Sequence, residues 1–259
     1  MNNLIIFLTS CAFVFIAILT TSSSGGRALI GGQGNTGAPC DDFRVCGDCH
    51  LGGSYGMTME QITIIDPVIN RPVQSYLPGK EYEVVVDVIK AQGGFSRYGF
   101  QATVIGPDTM DIGSWLSVDP GMHIQTITNS CSNQQTYIEH SQPSTSSKFK
   151  ARWKAPSSTT DTATFYFVGN VVNGTGGTSG DNGGFGNTMK LPPVQTQHLV
   201  LNGINIPGQA YYALDSISVQ NKFASNSLIY LTSKEVILDS AAQVDLGSLL
   251  EVHILSGTE

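Results

Sequence analysis

Three residues carry the most specific chemistry in this chain: Cys46, Cys49 and His50, in the run Cys46-Gly47-Asp48-Cys49-His50. Two thiols three residues apart lie on one face of a single helical turn. So placed, they can add to the two vinyl groups along one side of a haem, and the adjacent imidazole reaches the iron as proximal ligand. The expectation is one covalent haem c, attached through Cys46 and Cys49 and ligated by His50. Covalent attachment suits a short loop, because the cofactor then needs no dedicated pocket. Three other chemistries use the same residues: a disulfide beside an incidental histidine, a zinc site completed by Cys40, and a thioredoxin-like pair. The last needs a strand before and a helix after the motif, whereas Gly52, Gly53 and Gly56 follow here.

An iron held by His50 takes a second axial ligand from elsewhere in the chain. His140 is the first candidate, because it closes the run Tyr137-Ile138-Glu139-His140 at an expected strand end, where a side chain reaches over a loop. His123, beside Met122, is the second. Met57 and Met59 are closer in sequence, but their flexible thioethers suit the haem edge or the core.

Positioning these groups begins with export. Residues 4–19 are almost wholly apolar and small polar residues follow, which is the pattern of a signal peptide over residues 1–24. The run is short for a membrane span and has no charged flank to stop transfer. Cys11 lies inside it. The expected location is periplasmic, cell-surface or extracellular, where thiols pair or are chemically committed. If Cys46 and Cys49 hold haem, Cys40 and Cys131 remain as one disulfide; if not, the four cysteines allow three pairings.

Residues 25–58 are Gly- and Cys-rich without a strand or helix period, so a loop with one helical turn near Cys46 is expected. Strand signals then recur with turn residues between them. In residues 82–88, Tyr82, Val84, Val86 and Val88 share one face. Residues 61–64, 98–105, 136–139, 148–154 and 162–172 read as further strands, the last rich in aromatic and β-branched residues that suit a sheet interior. The set predicts an all-β, two-sheet sandwich over residues 59–190. Residues 173–187 read NGTGGTSGDNGGFGN and are expected as a loop or boundary, since glycine loses the most entropy on ordering. Residues 191–259 hold short strands at 217–219, 228–230, 236–238 and 252–255, too short for a sandwich and expected as a small β module of stacked rungs or an added sheet.

The chain of 259 residues carries only 13% charged residues and a net charge of −7, with Gly, Ser, Thr and Asn in their place. That composition disfavours helix-rich enzyme folds. The absence of a basic patch argues against nucleic acid as a partner. No G-x-S-x-G, phosphate loop or H-E-x-x-H motif occurs, and the expectation is a protein that is not an enzyme.

The run Asn35-Thr36-Gly37-Ala38-Pro39, followed by Cys46 to Gly53, resembles the opening of bacterial exported proteins with a reeler-like domain, also called choice-of-anchor V. The resemblance continues through Tyr98-Gly99-Phe100-Gln101-Ala102, Tyr137-Ile138-Glu139-His140, Trp153-Lys154-Ala155-Pro156 and residues 165–174, and closes at Gly180-Asp181. It implies an Ig-like β-sandwich on a secreted or surface protein and no catalytic activity. Cys40 stands where the family often has glycine, which supports a disulfide with Cys131. Two functions remain: a haem c protein in electron transfer or redox work with a redox partner protein, or a non-haem adhesion and assembly module that binds a surface or matrix component or forms homo-oligomers or filaments.

Overall fold

The computed structural model describes residues 25–94, 96–157, 160–173, 179–201, 210–220, 222–223, 228–233, 235–238, 243–244 and 249–254. The expected signal peptide lies outside them. The chain divides into two compact units, one of residues 1–63, 84–153 and 164–190, the other of residues 64–83, 154–163 and 191–259.

After a short helix α1 (Arg27–Gly31), the strands are β1 (Leu51–Gly52), β2 (Thr58–Asp66), β3 (Arg71–Pro72), β4 (Glu81–Lys90), β5 (Arg97–Ile105), β6 (Ser114–Val118), β7 (Met122–Thr128), β8 (Gln134–His140), β9 (Lys148–Lys154), β10 (Ala163–Val172), β11 (Ser179–Gly183) and β12 (Asn187–Leu191). They form two sheets. One runs β1-β11-β10-β5-β8-β7, with β12 also on β10; the other runs β3-β2-β4-β9-β6. The all-β sandwich expected from the strand pattern is what forms.

Alternation explains which faces meet. Tyr82, Val84, Val86 and Val88 of β4 are all buried, as are Phe149, Ala151 and Trp153 of β9. Against them lie Phe100 of β5 and Phe165 of β10: Phe100 stacks on Phe149 at 4.3 Å between ring centroids, and Trp153 meets Phe165 edge-on at 5.1 Å. Each such aromatic pair contributes about 1 kcal/mol beyond its buried area. The Trp153 indole N–H donates to the Ile112 carbonyl, so the core holds no orphan there. β10 is interior, paired with β5 over nine residues, as its composition predicts.

The Gly-rich tract departs from expectation. Residues 179–183 form β11, which pairs antiparallel with β10 and parallel with β1. The physical reason is close approach: a Cβ on Gly183 would lie 2.4 Å from the Cys46 carbonyl. Glycine here admits the backbone of another segment rather than loosening its own.

In the second unit, β13 (His198–Leu201), β14 (Ala210–Tyr212), β15 (Ser216–Val219), β16 (Lys222–Phe223), β17 (Leu228–Ser233), β18 (Glu235–Leu238), β19 (Gln243–Val244) and β20 (Leu249–Ile254) make three parallel ladders, β13-β15-β18, β14-β17-β20 and β16-β19. His198 pairs with Ser216, and Ser216 with Glu235, steps of 18 and 19 residues. Short strands in parallel register at a near-constant step are stacked rungs. Leu201, Ala213, Ile217, Val219 and Leu231 form the core between them. Within the same unit the buried carboxylate of Asp66 takes Lys80 Nζ at 2.6 Å and the Tyr212 hydroxyl at 3.2 Å.

Candidate functional site

Residues 25–50 have little regular structure, so side chains of the sandwich hold them. Tyr137 and Glu139 are two apart on β8 and face the same way; both are fully buried. The Glu139 carboxylate accepts the N–H groups of Ala28 and Leu29 at 2.9 Å each, the Gln101 amide at 2.9 Å, and approaches His123 Nε2 at 2.8 Å. The Tyr137 hydroxyl donates to Asp41, which also accepts the Thr36 N–H at 2.9 Å and the Thr36 hydroxyl. Burial raises the Asp41 pKa against these hydrogen bonds. The Cys40–Cys131 disulfide adds a covalent tie across 91 residues. The pairing suggested by Cys40, which stands where the family often has glycine, is therefore present, and the zinc set that borrows Cys40 is removed.

The motif loop follows. Cys46–Asp48 is one 3-10 turn. Asp48 Oδ2 accepts the Val45 N–H at 2.9 Å, and the N–H groups of Cys49 and His50 return to the Cys46 carbonyl at 3.2 and 3.0 Å. Asp48 thus closes the turn. Beyond it, backbone bonds fasten the loop to β11 and its continuation: Gly47 N–H to Gly184 O, Gly53 N–H to Asp181 O and Gly183 N–H to His50 O, at 2.8 to 2.9 Å.

Cys46 and Cys49 are both unpaired. Cys49 is exposed. Cys46 is half-buried as a residue, but its thiol is desolvated, and burial, then the Glu60 carboxylate, push its pKa up. Glu60 sits on the inward face of β2 in line with Ile62 and Ile64. Burial raises its pKa to about 7, against the hydrogen bond it accepts from the Gly169 N–H at 3.0 Å.

His50 Nδ1 lies 3.1 Å from Asp181 Oδ2, and its Nε2 lies 3.2 Å from the Asn170 side-chain nitrogen. A carboxylate on Nδ1 is the outer contact that orients a metal-binding imidazole. The opposite nitrogen is the difficulty, because the lone pair an iron needs faces the Asn170 amide. The two thiols share one turn, as haem attachment needs, but the Cys46 sulfur is desolvated, and the imidazole, as packed, does not fit proximal ligation unless its ring leaves Asn170. Among the described residues no cluster of three or more His, Cys, Asp and Glu side chains is arranged to hold a metal ion.

His140 does not reach over a loop. It closes β8 with its Nδ1 at 3.0 Å from the Phe100 carbonyl oxygen and 3.1 Å from the Phe100 amide nitrogen, and desolvation lowers its pKa. It nonetheless shares a neighbourhood with His50. Gly99 is the β5 partner of Asn170, and a Cβ at Gly99 would lie 2.3 Å from Asn170 Oδ1 and 2.8 Å from His140 Cε1. The Asn170 amide thus touches His50, and Asn170 and His140 both close over Gly99. Its oxygen is buried with no hydrogen-bond partner among the described residues. His123 is committed to Glu139. Asp181, Asn170 and Glu60 are the site residues the motif does not announce: Asp181 sits in a glycine tract and Glu60 in an alternating strand, and neither pattern signals a loop partner.

Similar folds occur in solved structures. The human F-spondin reeler domain is 16% identical, with 56% of this chain and 94% of that one covered at a TM-score of 0.36. The Reelin-N domain of F-spondin is 17% identical, covering 56% and 92% at a TM-score of 0.37. A cohesin module from a Clostridium perfringens family 33 glycoside hydrolase is 10% identical, covering 53% and 97% at a TM-score of 0.37. No curated protein matches the chain. Residues 59–173, which hold most of both sheets of the sandwich, match the Reeler domain family.

Proposed function

We propose that this protein is an exported, non-catalytic interaction module whose sandwich binds a surface or matrix component. The observation that carries this reading is the Cys40–Cys131 disulfide, which ties the N-terminal segment to the turn between β7 and β8. Such a bond persists in oxidising compartments. The Reeler match over residues 59–173 supports an extracellular module. No helix among the described residues is long and apolar enough to cross a membrane. The test adds labelled full-length protein to cells and extracellular matrix of the source culture. Saturable binding displaced by unlabelled protein is expected; binding that never saturates overturns the reading.

A second reading attaches a haem c to Cys46 and Cys49. It is favoured by two unpaired thiols on one turn in a protein that forms a disulfide elsewhere. It requires the His50 ring to leave Asn170. A visible spectrum and intact mass of protein exported from a host with haem c maturation machinery decide it: a sharp reduced band and one added haem support it, and a colourless protein at the unmodified mass removes it.

A further inference from the structure

The interaction reading leaves the chemistry of Cys46 and Cys49 unused. Conditions that join Cys40 to Cys131 act on these thiols too, and a dithiol on a surface loop equilibrates with any disulfide that reaches it. The loop builds an asymmetric pair. The 3-10 turn folds Cys49 back toward Cys46, whose carbonyl accepts the N–H groups of Cys49 and His50. Cys49 faces solvent, while the Cys46 sulfur is withdrawn from it. Beneath the turn, Cys46 packs its backbone on Gly183, and the Glu60 carboxylate fills the space over Gly184, the next residue. His50, pinned by Asp181 and Asn170, is a positioning residue that keeps the turn seated.

We propose that Cys46 and Cys49 form a thiol–disulfide exchange site for small-molecule disulfides, with exposed Cys49 as the entering thiol and the less exposed Cys46, one turn away, as the resolving thiol. The Cys49 thiolate, its proton lost to solvent, attacks one sulfur of the substrate. A bond from Cys49 to that sulfur forms, the substrate disulfide breaks, and the first thiolate leaves and takes a proton from water. Cys46 then gives its proton to water, and its sulfur attacks Cys49. The Cys46–Cys49 disulfide forms, the mixed disulfide breaks, and the second thiolate leaves and is protonated. Two protein thiols are oxidised by two electrons, and one disulfide is reduced to two thiols.

The experiment incubates full-length protein, with Cys46 and Cys49 reduced, with oxidised glutathione. Acid-quenched intact mass follows the reaction, and peptide mapping assigns the bonds. Wild type is expected to lose two hydrogens, with the new bond between Cys46 and Cys49 and Cys40–Cys131 retained. Cys46→Ser stops with one glutathione on Cys49. Cys49→Ser reacts about tenfold more slowly or less, because only the sheltered thiol remains. Wild type that stays a dithiol, that takes up two glutathiones, or that is isolated with haem on both sulfurs overturns the proposal. Surface binding is measured apart from this reaction, so failure of the interaction reading leaves these outcomes unchanged.

Discussion

His50 Nδ1 stands 3.1 Å from Oδ2 of Asp181, a residue 131 positions further along the chain. The contact joins the motif loop to β11, and Asp181, fully buried, holds the Asn173 N–H at 2.9 Å with its other oxygen. Asp181→Ala leaves the Asn173 amide and the His50 ring without their acceptor. We expect a loss of about 2 kcal/mol in denaturant unfolding. Hydrogen exchange at the Gly53 and Gly183 amides is expected to accelerate with it. Unchanged exchange at those amides would show that the backbone bonds alone hold the loop.

The Cys40–Cys131 bond closes a loop of 91 residues. Chain-entropy reasoning puts the effect of cross-linking so long a loop at about 4.6 kcal/mol. The Cys40→Ser, Cys131→Ser double variant is expected to unfold at markedly lower denaturant, with greater proteolysis of residues 25–45. A midpoint equal to wild type would mean that Glu139 and Asp41 anchor the segment unaided.

Two buried groups give the stability opposite pH slopes. Glu60 has its pKa raised from 4.5 to about 7 in the folded protein. The folded state therefore keeps a proton that the unfolded chain has lost. Its contribution is complete below pH 4.5 and disappears as pH rises through about 7, on the order of 3 kcal/mol at most. Glu60→Gln should flatten that decline between pH 5 and 8 in chemical denaturation. His140 has its pKa lowered from 6.5, so its contribution is present above that value and is lost as pH falls. A Glu60→Gln variant with the wild-type slope would place the titrating group elsewhere.

Gly99 faces Asn170 across the β5–β10 pair with no room for a methyl group, since a Cβ would lie 2.3 Å from Asn170 Oδ1. Gly99→Ala must displace Asn170 or His140, an overpacking that costs roughly 1–3 kcal/mol. The ring resonances of His50 and His140 should both shift in NMR spectra. A shift of neither would show that the added methyl group displaces neither Asn170 nor His140.

In the second unit, Asp66 is fully buried and pairs with Lys80 at 2.6 Å, with the Tyr212 hydroxyl as further donor. Asp66→Ala strands the Lys80 ammonium in a partly buried place, and losing one partner of such a pair costs about 3–5 kcal/mol. Tyr212→Phe removes a single hydrogen bond and should cost about 1 kcal/mol. Equal effects of the two variants would mean that Lys80 reaches water without its partner.

The strands that were legible in the sequence are those with a clear period. Tyr82, Val84, Val86 and Val88 announce β4, and residues 164–168 announce the interior of β10. β6 and β7 were not, because their faces are half-exposed and carry no clean alternation. The three-residue spacing of Cys46 and Cys49 correctly marks one turn, because contacts within a turn depend only on neighbours. The rung module was visible as short strands, but its 18- to 21-residue steps left no repeat of residue identity.

By itself, then, the sequence determined the local and periodic features: an all-β chain, the faces that turn inward, the turn that carries two thiols and the expectation of oxidised cysteines. Only the tertiary structure decided what those features meet. Alternation says that the inward face of β8 is buried, not that Tyr137 and Glu139 spend it holding residues 28–41. The spacing of the motif says where His50 lies, not that Asp181 and Asn170 occupy its two nitrogens. Such partners are set by sheet order and by the close approach that Gly183 permits. These relationships span 96 to 131 residues of chain and leave no trace in a local pattern.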